Sequence, residues 1–132
     1  LPPQWTPAIQ VDGTASTATP IGNPGAASAD VVSCATPGNC VAGGFYTNQW
    51  GTSEAFVVDE TNGSWGTAFQ IPGANVWARV DAISCTTPGN CVAGGDYQGH
   101  NGPSAWVADE VDGTWGSAGA RSLADFPRSS DV

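Results

Sequence analysis

The chain has 132 residues, with 12 acidic and 3 basic side chains and a formal net charge of −9. All three basic residues are arginines, so nucleic acid and anionic membrane surfaces are excluded as partners on charge. No apolar run approaches the ~18 residues of a membrane helix, and scarce Leu, Glu, Lys and Met argue against a helical bundle. The length is that of one domain.

The chain opens at Leu1 without a basic and apolar leader, as expected of a chain whose signal peptide has been removed or which has been cut. Trp5-Thr-Pro-Ala8-Ile9-Gln10-Val11 resembles Trp65-Gly-Thr-Ala68-Phe69-Gln70-Ile71 further on. Residues 1–30 therefore read as an N-terminal closing strand followed by a Gly-, Ala-, Ser-, Thr- and Pro-rich loop over 12–30.

From Val31 the chain repeats. Residues 36–44, Thr-Pro-Gly-Asn-Cys-Val-Ala-Gly-Gly, recur unchanged as 87–95. Ala55–Glu60 matches Ala105–Glu110, and Gly63–Gly66 matches Gly113–Gly116. The period is 50 to 51 residues, in the range of propeller blades and arrays. Each unit reads as four short strands: Val31–Cys34, Cys40–Tyr46, Glu54–Thr61 and Trp65–Ile71 in the first. Ala82–Cys85, Cys91–Tyr97, Ser104–Val111 and Trp115–Ala118 follow in the second. Asn62-Gly63 and Asp112-Gly113 predict type I′ hairpins. The units span 31–73 and 74–118, and 119–132 departs from the repeat as an irregular tail.

Four cysteines fall as two C-x5-C pairs, each enclosing Pro-Gly-Asn. Pro-Gly sets a tight turn that brings the flanking sulfurs together, which predicts Cys34–Cys40 and Cys85–Cys91 disulfides. Zinc pairs usually sit at C-x2–4-C, so a four-thiolate site fits the spacing less well. Disulfides imply an oxidising compartment and hence secretion.

Several residues are candidates for chemistry. Asp59-Glu60 and Asp109-Glu110 cannot flank one bond as doublets, because neighbours on a strand point to opposite faces. Beside hairpin turns they read as solvated residues or backbone acceptors, and no dense calcium-loop pattern accompanies them. His100 is the only histidine, and no G-x-S-x-G elbow supports a triad with Ser104. No cofactor motif is present, and no metal or catalytic residue is assigned.

Trp65, Trp115, Trp5 and Trp106 sit at repeating positions and read as packing residues. Trp50 and Trp77 have no counterpart in the repeat. Trp50 lies among Tyr46, Asn48 and Gln49, and the matching loop holds Asp96, Tyr97, Gln98 and His100. Aromatic faces beside amides suit sugars, whose C–H faces stack while their hydroxyls find polar partners. The same tryptophans would equally suit an interface between chains.

The signature Ser33-Cys34…Cys40-Val41-Ala42-Gly43-Gly44-Phe45-Tyr46, Ala55-Phe56-Val57-Val58-Asp59-Glu60 and Asn62-Gly63-Ser64-Trp65-Gly66 resembles that of secreted actinobacterial repeat proteins. The resemblance covers residues 31–71 and 82–118. It implies an exported, β-propeller-like protein and no particular activity.

The resulting expectation is an all-β partial propeller of two four-stranded blades plus an N-terminal strand. Two blades cannot close a ring, so completion by homo-oligomerisation is expected, a trimer giving six blades. A small sandwich of the two units face to face is the other arrangement. The expected function is extracellular carbohydrate binding or surface interaction, with a glycan or cell-surface ligand as partner. The alternative is a secreted hydrolase of polysaccharide or ester substrates, using carboxylates from facing strands.

Overall fold

The computed structural model describes residues 8–11, 26–74, 76–99 and 102–121. Trp5, His100 and the chain beyond Arg121 lie outside them.

The first unit contains β1 (Ala27–Thr36), β2 (Asn39–Thr47), β3 (Ser53–Thr61), β4 (Ser64–Trp65) and β5 (Phe69–Gln70). The second contains β6 (Arg79–Thr87), β7 (Asn90–Gly99), β8 (Gly102–Val111), β9 (Thr114–Trp115) and β10 (Gly119–Arg121). Each unit is one antiparallel meander, ordered β1-β2-β3-β4 with β5 also on β3, and β10-β8-β7-β6 with β9 also on β8. The all-β expectation holds, and no helix occurs among the described residues.

Several expected boundaries change. Ala27–Asp30, assigned to a loop, begin β1, with Ala27, Ser28 and Ala29 pairing with Tyr46, Phe45 and Gly44. The fourth strand of each unit is two pieces along one edge, because the chain leaves the ladder after Trp65 and after Trp115. Gly119–Arg121, assigned to the irregular tail, pair with Val107, Trp106 and Ala105. Phe69 and Gln70 pair with Val57 and Phe56 in the same register, so the backbone repeat outlasts the sequence repeat. Ala8–Val11 belong to neither sheet.

The end of each unit is tied by the Thr-Pro-Gly-Asn run. Cys34 pairs with Cys40 and Cys85 with Cys91 across the strands, and both disulfides form. Asn39 Nδ2 donates to Thr36 Oγ1 (3.0 Å), while its Oδ1 accepts the Asn62 N–H (3.1 Å). Asn90 repeats this with Thr87 (2.9 Å) and Asp112 (3.1 Å). The Gly63 and Gly113 N–H groups donate to the Gly38 and Gly89 carbonyls, both at 2.9 Å. Positive φ at Asn62-Gly63 and Asp112-Gly113 is what a type I′ turn requires. The run therefore recurs because it couples the disulfide turn to the neighbouring hairpin.

The sheets stack through unlike faces. Call "front" the face carrying Ala42, Phe56 and Val58 in the first unit and Ala93, Trp106 and Ala108 at the equivalent positions of the second. Call "back" the face of Val41, Ala55 and Val57, equivalent to Val92, Ala105 and Val107. The main core joins Val41, Ala55 and Val57 to Ala93, Trp106 and Ala108, with Ile71 and Val80 between them. The back of the first sheet thus lies on the front of the second. The front of the first sheet has its own cluster, covered by Val11 and flanked by Tyr46 and Trp65.

Candidate functional site

The expected ligand residues that lie within the described segments gather at the end of the sheets opposite the disulfides. The β2–β3 loop is shaped by Asn48. Its Oδ1 accepts the N–H groups of Trp50 (2.9 Å) and Thr52 (3.0 Å), and its Nδ2 donates to Glu54 Oε1 (3.2 Å). Tyr46 Oη donates to Glu54 Oε2 at 2.5 Å. Burial, then this bond and the charge of Glu54, push the Tyr46 phenol well above its usual range. Tyr46 and Asn48 are thereby committed to building the loop.

What the loop displays is Trp50, 74% exposed, beside exposed Gln49. Trp77 is 60% exposed and sits in the left-handed region at φ 47°. That conformation is unusual for a bulky residue. The flanking chain holds it there: the Ala78 N–H donates to Ser53 O (3.1 Å) and the Gln98 N–H to Val76 O (2.8 Å). An open cleft of about 240 Å³ lies alongside, lined by Phe45, Ser53, Trp77, Ala78, Arg79 and Asp96. Arg79 Nε reaches Asp81 (3.1 Å) and Asp96 (3.4 Å). Burial and then Asp96 raise the Asp81 carboxyl, against the lowering effect of Arg79.

Of the expected residues, Gln49, Trp50, Trp77 and exposed Gln98 are presented at this end, and Asp96 lines the cleft through which Arg79 reaches it. Tyr97 packs against the core instead, because it lies on the front of the second sheet. Arg79 was not singled out from the sequence. It stands at the start of β6, where no repeat signal marks it.

The disulfide end holds a second feature. A cavity of about 370 Å³ between the sheets is lined by Asp59, Glu60, Glu110 and Asp112 together with both disulfide turns. The Asp59 and Asp109 main-chain carbonyls accept the Gly66 and Gly116 N–H groups at 2.9 Å. Glu110 is not solvated as expected. It is 3% exposed, because the front of the second sheet is covered by the first. Neither of its carboxyl oxygens meets a hydrogen-bond donor. Burial first, then the neighbouring Asp59 carboxyl, push Glu110 up to about 8. Trp115 Nε1 donates to Asp59 Oδ1 (3.0 Å) beside it.

Among the described residues no group of three or more His, Cys, Asp or Glu side chains could hold a metal ion. None of the described segments is a helix long and apolar enough to cross a membrane. Two disulfides point to a non-cytoplasmic compartment. No family model, curated protein or solved structure matches the chain.

Proposed function

We propose that this is a secreted, lectin-like carbohydrate-binding protein built from propeller-type blade units. One observation carries the reading: two indoles with no counterpart in the repeated sequence, Trp50 and Trp77, stand exposed at the same end of the sheets. Indole faces stack on sugar C–H faces, and Gln49, Gln98 and the Arg79–Asp96 pair supply hydroxyl partners beside them. The blade reading is supported by the stacking of unlike faces, which is how successive blades follow one another in a ring.

On a glycan array, the native chain is expected to bind, and Trp50→Ala or Trp77→Ala to weaken the best signal at least ~10-fold. Unchanged binding by both variants, or an array without signal, would sink the proposal. A hydrolase is supported less well. Asp59 and Glu110 do face one another from different strands. Yet Glu110 is only 3% exposed, and a pair working on a glycosidic bond must stand ~5 Å or more apart to admit it.

A further inference from the structure

We infer that the cavity at the disulfide end takes an aliphatic diamine or polyamine, with one primary ammonium on Glu110 and Asp59 and another on Glu60 and Asp112. All four carboxyl side chains line this space of about 370 Å³ between the sheets. The chain has no lysine, and no arginine is among the described residues that line the cavity. Arg79 is engaged with Asp81 and Asp96 at the other end. Glu110 carries the inference. It is 3% exposed, it borders the cavity, and its two carboxyl oxygens meet no donor. Leaving a buried carboxyl without donors is costly, and a ligand that brings donors removes that cost.

A primary ammonium brings three N–H donors and one positive charge. Asp59 stands within hydrogen-bonding reach of Glu110. The Trp115 indole takes Oδ1 of Asp59, which leaves Oδ2 beside the two Glu110 oxygens. Donors and acceptors then match in number. Calcium would instead need about six to eight oxygens converging on one point. Among the described residues no three acidic side chains converge in that way. The carboxyl groups are spread from buried Glu110 to a rim where Glu60 is half-exposed and Asp112 exposed. A methylene chain between two ammonium groups suits that spread, because Val41, Pro88 and the disulfide turns give the walls apolar surface.

Binding of the cation displaces a proton. Glu110 is neutral below about 8. The incoming ammonium favours the carboxylate, so the Glu110 proton leaves to solvent. Among the described lining residues, the titratable groups facing Glu110 are Asp59 and Glu60 from β3 and Asp112 from the β8–β9 hairpin. All are acidic, so they attract the ligand. Affinity therefore rises with pH, by up to ~10-fold per unit, until Glu110 is ionised. It falls again as the amine loses its own charge near ~10.

The test is calorimetric titration of the full chain with 1,5-diaminopentane in ~0.15 M salt, at about pH 6 and about pH 8. A Kd of ~1 mM or tighter is expected at the higher pH, weakened at least ~10-fold at the lower. Asp109→Asn removes one exposed charge that does not line the cavity, and is expected to leave the affinity unchanged. Glu110→Gln removes one charge too, yet is expected to weaken binding at least ~10-fold and to flatten its pH dependence over this range. Should Glu110→Gln fail to fold, Glu60→Gln on the rim is expected to weaken 1,5-diaminopentane toward the lower affinity of 1-aminobutane. An absence of binding at the higher pH overturns the inference, as does equal binding by Glu110→Gln or an affinity that stays flat between the two pH values. Calcium chloride that competes as well as the diamine at equal concentration also overturns it, because the acidic surface would then gather any cation.

Discussion

Replacing Gly95 by alanine will disrupt the second sheet, and Gly44→Ala will do the same to the first. Each glycine lies opposite a register shift in its neighbouring strand, between Val80 and Ala82 or between Ala29 and Val31. The extra residues, Asp81 and Asp30, bend β6 and β1 so that a backbone carbonyl leans over the glycine. A Cβ at Gly95 would overlap the Arg79 carbonyl oxygen, and one at Gly44 the Ser28 carbonyl oxygen. A backbone atom cannot swing aside as a side chain does, so two strands would have to part. A loss of at least ~3 kcal/mol in stability is expected for either variant, read from urea melts. Gly66→Ala is the control. It too recurs, as Gly116, yet its Cβ would meet only the Asp59 carbonyl at 3.6 Å, an ordinary contact. A change under ~1 kcal/mol is expected there. Equal losses at Gly66 and Gly95 would refute the close-approach account.

The Gly-Gly doublet shows how far the residues alone could be read. Its recurrence revealed the repeat, and local chemistry then specified most of each unit. Asn-Gly and Asp-Gly turned the hairpins, Pro-Gly turned the disulfide clasps, and the strands between them followed. The bulges were not legible, because an extra residue at Asp30 or Asp81 is visible only against its paired strand. β10 was missed for a related reason. Gly119 and Ala120 have nothing in common with Phe69 and Gln70 as side chains, yet they accept the same ladder. The loop end was legible in part. Trp50 and Trp77 stood out by having no counterpart, whereas the use of Asn48 and Tyr46 to hold Glu54 depends on a fold around them. Least legible was Glu110. It and Glu60 occupy equivalent positions, and only the stacking order decides that one is buried and the other half-exposed.

That stacking order makes the fold sensitive to alkali. Glu110 keeps its proton up to about 8, whereas an unfolded chain releases it near the ordinary value of 4.5. Below 4.5 both states hold the proton and the folded protein keeps its full stability with respect to this group. Between the two values the folded state binds a proton that the unfolded state does not. Stability then falls as pH rises, by up to ~1.4 kcal/mol per pH unit, and the loss is complete above the folded value. The native chain is expected to lose on the order of 3 kcal/mol between pH 5 and pH 8 through this group. Glu110→Gln removes the titration while keeping the shape and a donor for Asp59. Its stability is expected to be nearly flat over that window, with a melting temperature several degrees above native at pH 8 and close to native at pH 5. Asp59→Asn separates the two causes. Burial is the larger, so most of the slope is expected to survive that substitution. If Glu110→Gln melts with the same pH dependence as the native chain, the proton is not on Glu110. If Asp59→Asn alone abolishes the slope, the neighbouring charge rather than burial holds the proton in place.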